Sequence, residues 1–259
     1  MFGEALEPSG TGSKHIFVND YINNTVTSYG FNGTPLRTIS IGLSSPQGIA
    51  VAANGDIYVT NYTANNITVY KPGGIKTGLT ITKGLNNPAD IVIDANGKIY
   101  VSNQGNNTVT TYTSAGVQTT PTITGLNFPN GLAVDANGKI YIANQNANNV
   151  LTYTAKGKPT TPTITAGLDA PAGVAVDSSG KIYVSNYNSS TLTTYTAKGV
   201  QTTPTITSGL SAPIFITIAV NKLFVTNRNG DNLTTYELNG TPSTPTISGL
   251  DGLTGVAVH

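Results

Sequence analysis

Few residues in this chain have side chains suited to chemistry, and those few are scattered. His15 and His259 are the only histidines, they stand at opposite ends of the chain, and there is no Cys. A Ser-His-Asp arrangement therefore lacks its base, and a zinc site lacks its usual ligands. Disulfides and thiol nucleophiles are excluded outright. No G-x-x-x-x-G-K-[ST] loop is present to cradle a phosphate. Asp90 is the one carboxylate candidate for a cation, whereas a calcium ion takes about six to eight oxygens. No catalytic residue and no cofactor are expected. A second set of residues is suited to recognition instead: Tyr21, Tyr62, Gln104, Gln145, Tyr187 and Arg228, joined by Asp90 and Phe215. Tyr and Arg dominate binding hot spots because they combine a large contact area with directed hydrogen bonds.

A repeat positions these residues. An apolar triplet, one small residue and Asn recur at Asn61, Asn103, Asn144, Asn186 and Asn227, with Asp20 in the first place, at intervals of 41 or 42 residues. A fixed period of this length means one supersecondary unit used six times. In the third unit, Pro88 to Ile93 is a short apolar run, and Asp94-Ala95-Asn96-Gly97 is a hairpin signal. Lys98 to Ser102 reads as a second strand and the alternating, Thr-rich Thr108 to Tyr112 as a third. Thr119 to Thr124 reads as a fourth and carries Pro121, matched by Pro162, Pro204 and Pro245 in later units. Pro cannot donate to a ladder, so this strand belongs at the sheet edge. No segment shows a capped 3.6-residue apolar period, and helices are not expected.

Four-stranded antiparallel meanders at this spacing predict an all-β, six-bladed β-propeller. The first unit starts at its second strand, Ile16-Phe17-Val18, and the missing first strand stands at the far end as Gly255-Val256-Ala257-Val258. The C-terminal strand is therefore expected to complete the first blade and close the ring. Residues 14–259 form one domain on this reading, and residues 1–13 a tail or expression remnant. Met1 to Ser13 hold no apolar run, so no signal peptide is expected there.

The stretch from Pro171 to Asn186, Pro-x-Gly-Val-Ala-Val-Asp-x-x-Gly-Lys-Ile-Tyr-Val-Ser-Asn, resembles the NHL repeat. The resemblance extends over nearly all of 14–259 and is strongest in units three to five. It departs in carrying Asn where NHL repeats usually carry Asp. No Trp is present, which removes the WD40 signature. The resemblance implies a six-bladed propeller. It also implies kinship with lactonases, amidating lyases and strictosidine-synthase-like enzymes, which hold a divalent cation in the channel.

The six ring residues Asp20 to Asn227 are read as turn latches, and the two repeated aromatic series as packing between blades. Function is sought where the repeats disagree. The residue after each ring Asn is Tyr21, Tyr62, Gln104, Gln145, Tyr187 or Arg228 in turn. On the first strands, Asp90 and Phe215 replace a common Gly and are expected to face each other across the channel mouth. The map places about −3 of charge on the top face and +5 on the bottom. Asp94–Lys98, Asp135–Lys139 and Asp177–Lys181 are expected to face each other across their hairpins.

With 13 Lys+Arg against 12 Asp+Glu, the charge balance gives no footing for nucleic acid. No apolar stretch is long enough for a membrane span. The Thr-, Asn- and Gly-rich composition resembles bacterial secreted proteins, giving an extracellular or cell-surface expectation for a monomer. The sequence therefore predicts a non-catalytic propeller recognising a protein, peptide or glycan on its top face. A metal-assisted hydrolase or lyase at the channel mouth and a structural spacer are the alternatives.

Overall fold

The computed structural model describes residues 14–259, so the expected N-terminal tail lies outside the described residues. Six four-stranded antiparallel sheets are arranged as blades. Blade two shows the plan: an inner strand Pro46–Val51, then Ile57–Asn61, Asn66–Tyr70 and an outer strand Lys76–Ile81. The Pro-bearing strands Gln118–Ile123, Pro159–Ile164, Gln201–Ile206 and Pro242–Ser248 are all outermost, where a missing donor costs no ladder bond. Among the described residues the one helical element is a single 3-10 turn, Gln145–Ala147, in a top loop.

The C-terminal strand Leu253–Val258 is the inner strand of blade one, paired with His15–Asp20 in the register Ile16↔Val258, Phe17↔Ala257 and Val18↔Val256. His15 and His259 exchange both backbone hydrogen bonds, at 2.7 and 3.0 Å. The two histidines are thus neighbours at the bottom of the closing seam.

Side chains alternate along each strand, so every blade buries one row against the blade before it and one against the blade after. Six apolar clusters result, one per seam. Blade two contributes Tyr58, Ile67 and Val69 to the seam with blade three, which answers with Ile91, Ile99 and Tyr112. At the seam between blades six and one, Phe31 packs edge-on against Phe224 at 5.8 Å. Both repeated aromatic series are buried. The third-strand tyrosines also spend their hydroxyls locally, with Tyr70, Tyr112, Tyr195 and Tyr236 donating to loop carbonyls at 2.6–2.8 Å.

On the bottom face the expected Asp–Lys pairs do not form. Asp94 Oδ1 accepts the backbone N–H groups of Asn96 and Lys98, and its Oδ2 accepts the Tyr100 hydroxyl at 3.1 Å. The Lys98 ammonium instead passes over the Tyr100 ring, 5.4 Å from its centroid, to the Thr120 carbonyl on the outer strand. Lys139 and Lys181 repeat this with Tyr141, Thr161, Tyr183 and Thr203. The carboxylate is drawn to the turn because three donors of its own hairpin converge there. Burial and the adjacent Asp94 and Asp135 carboxylates push the Tyr100 and Tyr141 hydroxyls up to about 12.

A latch between the second strand and the inner strands is imperfect in blade one, at its seam with blade two. Thr60, Ser102, Ser185 and Thr226 each accept an inner-strand N–H and donate to a carbonyl on the next blade, Ala89, Asn130, Ile214 and Thr254. Blade one has Asn19 here. Its amide donates to the Gln47 carbonyl at 3.0 Å, but its buried Oδ1 has no partner among the described residues. An orphaned buried acceptor costs about 1–3 kcal/mol. Asn19→Thr supplies the hydroxyl used in blades two, three, five and six, where blade four has Ala143, and is expected to stabilise the protein by about 1 kcal/mol in urea denaturation. A loss of stability would contradict this account.

Candidate functional site

The top face is built by two repeated side-chain latches. Each ring Asn accepts a backbone N–H from the loop entering its own blade, as Asn61 does from Ser44 at 2.9 Å and Asn103 from Asn86 at 3.2 Å. Its amide then donates to the following strand, Asn61 to Thr68 and Asn186 to Thr193. These Asn side chains are buried and their polar atoms are engaged, so they serve the scaffold. The second latch reaches the next blade. Asn24, Asn65, Asn107, Asn148, Ser190 and Asp231 accept the N–H of Ser45, Asn87, Phe128, Ala170, Ala212 and Gly252 in turn. All six accepted residues have positive φ, from 47 to 61°. Phe128 is the bulky member, at φ 57°, a region that large side chains rarely enter.

These fixed loops hold the variable residues in one place. Tyr21, Tyr62, Gln104, Gln145, Tyr187 and Arg228 each donate their backbone N–H to the loop carbonyl beside the neighbouring strand, all at 3.1 Å. The main chain is satisfied identically six times, which leaves the side chain free to differ. All six line one open pocket of about 660 Å³ at the top of the channel.

The pocket has two unlike walls. Around the ring, blades five, six, one and two supply Tyr187, Arg228, Tyr21 and Tyr62 in succession. The Arg228 guanidinium lies over the Tyr21 ring, 5.5 Å from its centroid. A cation held on an aromatic face gains about 0.5–2 kcal/mol and loses freedom of orientation. Burial raises the Tyr62 hydroxyl above its usual range, Tyr21 adds to this, and Arg228 opposes it. Blades three and four supply the other wall, of amides. Gln145 Oε1 accepts the Asn130 amide at 3.1 Å, which leaves the Gln145 amide and the Asn130 oxygen facing the pocket. Gln104 and Gln47 extend this wall.

Asp90 and Phe215 lie outside the pocket lining. They occupy equivalent places on blades three and six, which are opposite in a six-membered ring. Each side chain leans toward the next blade. The carboxylate of Asp90 accepts the Ile91 N–H and, across the seam, the Leu132 N–H, both at 2.8 Å. Phe215 is buried in the apolar seam between blades six and one with Leu253. The other four blades carry glycines here, and added Cβ atoms would meet the adjoining inner strand at 2.2–2.6 Å. Gln47, Asn130 and Ile214, one place earlier on the inner strands, do line the pocket. Their variation among blades was visible in the sequence, but which neighbour they face was not.

The channel does not fit the divalent cation that the enzyme kinship implies. Among the described residues no three His, Cys, Asp or Glu side chains come together. Both oxygens of Asp90 already accept backbone donors. Burial raises the Asp90 carboxyl to about 7 against the partial opposition of those two hydrogen bonds.

Comparison with known proteins places this architecture. In solved structures the chain is similar to a propeller in a nidogen/laminin complex, with 18% identity and a TM-score of 0.81. That match covers 95% of this chain and 98% of the other. A streptogramin B lyase matches at 17% identity and TM-score 0.66, over 90% of this chain and 73% of the lyase. A catalytically inactive virginiamycin B lyase from Staphylococcus aureus, solved with quinupristin, matches at 14% and 0.69, over 92% and 86%. At such identities these likenesses show the fold alone. No curated protein sequence matches the chain. The NHL repeat profile matches residues 43–70. The profile described as the SMP-30/Gluconolactonase/LRE-like region matches residues 84–229, more than half of the chain, and the protein is a member of that six-bladed propeller family.

Proposed function

We propose that this propeller is a non-catalytic recognition module whose top pocket binds a protein, peptide or glycan, in an extracellular or cell-surface setting. The observation that carries the reading is the pocket wall on four successive blades, where three tyrosines surround a guanidinium stacked on one of them. Such residues anchor interfaces through rigid area and directed donors. The nidogen/laminin complex gives independent precedent for a propeller of this shape in a protein assembly.

Glycan and peptide arrays test the reading with the native protein and the combined Tyr21→Ala, Tyr62→Ala, Arg228→Ala variant. The variant is expected to lose the array signals by at least about tenfold while melting within a few degrees of the parent. Signals that survive the triple substitution would remove the pocket from the function.

A second reading, a hydrolase or lyase at the channel mouth, draws on the family match and on Asp90. Titratable groups with shifted affinity for protons gather at active sites, though structural groups are shifted too. Without a cluster of ligands around Asp90, this reading rests on one carboxylate.

A further inference from the structure

The pocket carries one formal charge among its lining side chains, and that charge has no partner. Arg228 forms no ion pair among the described residues. Nearby rim acids are engaged elsewhere: Asp231 accepts the Gly252 N–H, Asp169 the Asn188 amide, and Asp20 the Asn23 backbone and amide. The guanidinium over the Tyr21 ring lines the pocket with no carboxylate on it, and its forked donors are of the kind that match a carboxylate bidentately.

The other contacts narrow the ligand further. Tyr62 and Tyr187, on the blades next to the Arg228–Tyr21 pair, line the same pocket with part of each side chain exposed, and Tyr rings suit the C–H surface of a pyranose. The opposite wall offers both donors and acceptors from Gln47, Gln104 and the linked Gln145–Asn130 pair. Mixed amides of this kind suit adjacent hydroxyls, which are donors and acceptors at once. Besides the tyrosine rings, the lining side chains without a polar group are Phe128 and the buried Ile214, so the pocket has no aliphatic cleft of the kind that seats a peptide's apolar anchor.

We infer that the top pocket selects a carboxylated sugar, a uronate, with its carboxylate on Arg228, its ring against Tyr62 or Tyr187 and its hydroxyls on the amide wall. This rests on the recognition reading above and names its ligand class. The uronate belongs either to a free sugar acid or to the end of a polysaccharide, which share the recognised group.

Titration calorimetry with cellobiouronic acid, its methyl ester and cellobiose tests the inference, with glucuronic acid and a glutamate-containing tripeptide as further arms. The native protein is expected to bind cellobiouronic acid about ten- to a hundredfold more tightly than the ester or cellobiose. Glucuronic acid alone binding as tightly identifies the free acid, and tighter binding of the disaccharide identifies the glycan end. Arg228→Met should level the three disaccharides while leaving the melting temperature unchanged, and Arg228→Lys should fall between. Equal binding of acid and cellobiose, acid preference that survives Arg228→Met, or preference for the tripeptide overturns the inference. Equal binding of acid and cellobiose that is lost in Tyr62→Ala would overturn the uronate inference alone and leave the pocket as the recognition site. If no saccharide binds, the inference falls, and the array result with the triple variant decides the recognition reading separately.

Discussion

Removing residues 252–259 is expected to unfold the protein near room temperature or to lower its urea midpoint by more than half. The deleted strand buries Leu253 and Thr254 completely and Val256 and Ala257 almost so. Its loss also uncovers Ile16, Val18, Phe215 and Phe224, which pack against it in the last seam. At about 1.5–3 kcal/mol for each large apolar side chain taken out of water, the apolar term alone is on the order of 5 kcal/mol. That is comparable to the whole stability of an ordinary domain. Polar losses add to it. Thr254 ties blade six to blade two, accepting from Thr226 at 2.6 Å and donating to the Pro46 carbonyl at 2.8 Å. Its removal takes away both of these bonds. Closure also protects the inner edge of His15–Asp20, which would otherwise present unpaired N–H and C=O groups. Urea denaturation of the truncated and full chains measures the effect. A truncated chain that melts with the full one would show that the ring does not depend on its closing strand.

The architecture was legible in the sequence because each of its determinants is local and recurs in several blades. The ring Asn, the Asn-Gly hairpins and the prolines of the fourth strand each act over a few residues, and Pro121 at a sheet edge follows from the missing donor. The ring closure was legible for a different reason, since a strand missing at one end and surplus at the other have only one way to combine. Directions of side chains were harder. Tyr21 and its five counterparts were found because they vary immediately after a fixed latch, and their shared backbone bond turns them all inward. Asp90 and Phe215 also vary, but a strand's two faces look at different blades, and sequence spacing does not say which face meets the pocket. Gln47 and Asn130 show the same difficulty from the other side. The Asp94–Lys98 expectation failed because opposite charges four residues apart suggested a pair. The turn's own N–H groups were closer donors, and a long Lys stem reached past them to Thr120.

Replacing Asp90 by Asn should change how stability depends on pH more than any other single substitution of an acid in this chain. The folded-state carboxyl titrates at about 7, above its ordinary value of 3.8. Between those two values the folded chain holds a proton that the unfolded chain has released. Stability therefore falls as pH rises from about 4 to about 7 and levels off above. Asp90 keeps part of its surface open to the channel, so solvent screening holds the loss below the ~4 kcal/mol that about 1.4 kcal/mol per unit of displacement would give for a fully dry carboxyl. The N–H groups of Ile91 and Leu132 stay on the carboxylate and are already counted in its affinity for protons. Asp177 stays out of this window: against the opposing effect of its burial, hydrogen bonds from Ser179 and the hairpin hold its carboxyl below its ordinary value, so its contribution is lost only in stronger acid. In Asp90→Asn the amide oxygen can keep one of the two N–H bonds, no charge appears on raising the pH, and the slope from 4 to 7 should flatten. Urea midpoints at pH 4, 5.5, 7 and 8 for both chains measure the difference. Parallel curves would show that Asp90 is hydrated in the channel and carries no such penalty. The same variant separates the two functional readings. A recognition pocket that excludes Asp90 from its lining should keep its ligand in Asp90→Asn, whereas a hydrolase or lyase built on that carboxylate should lose turnover.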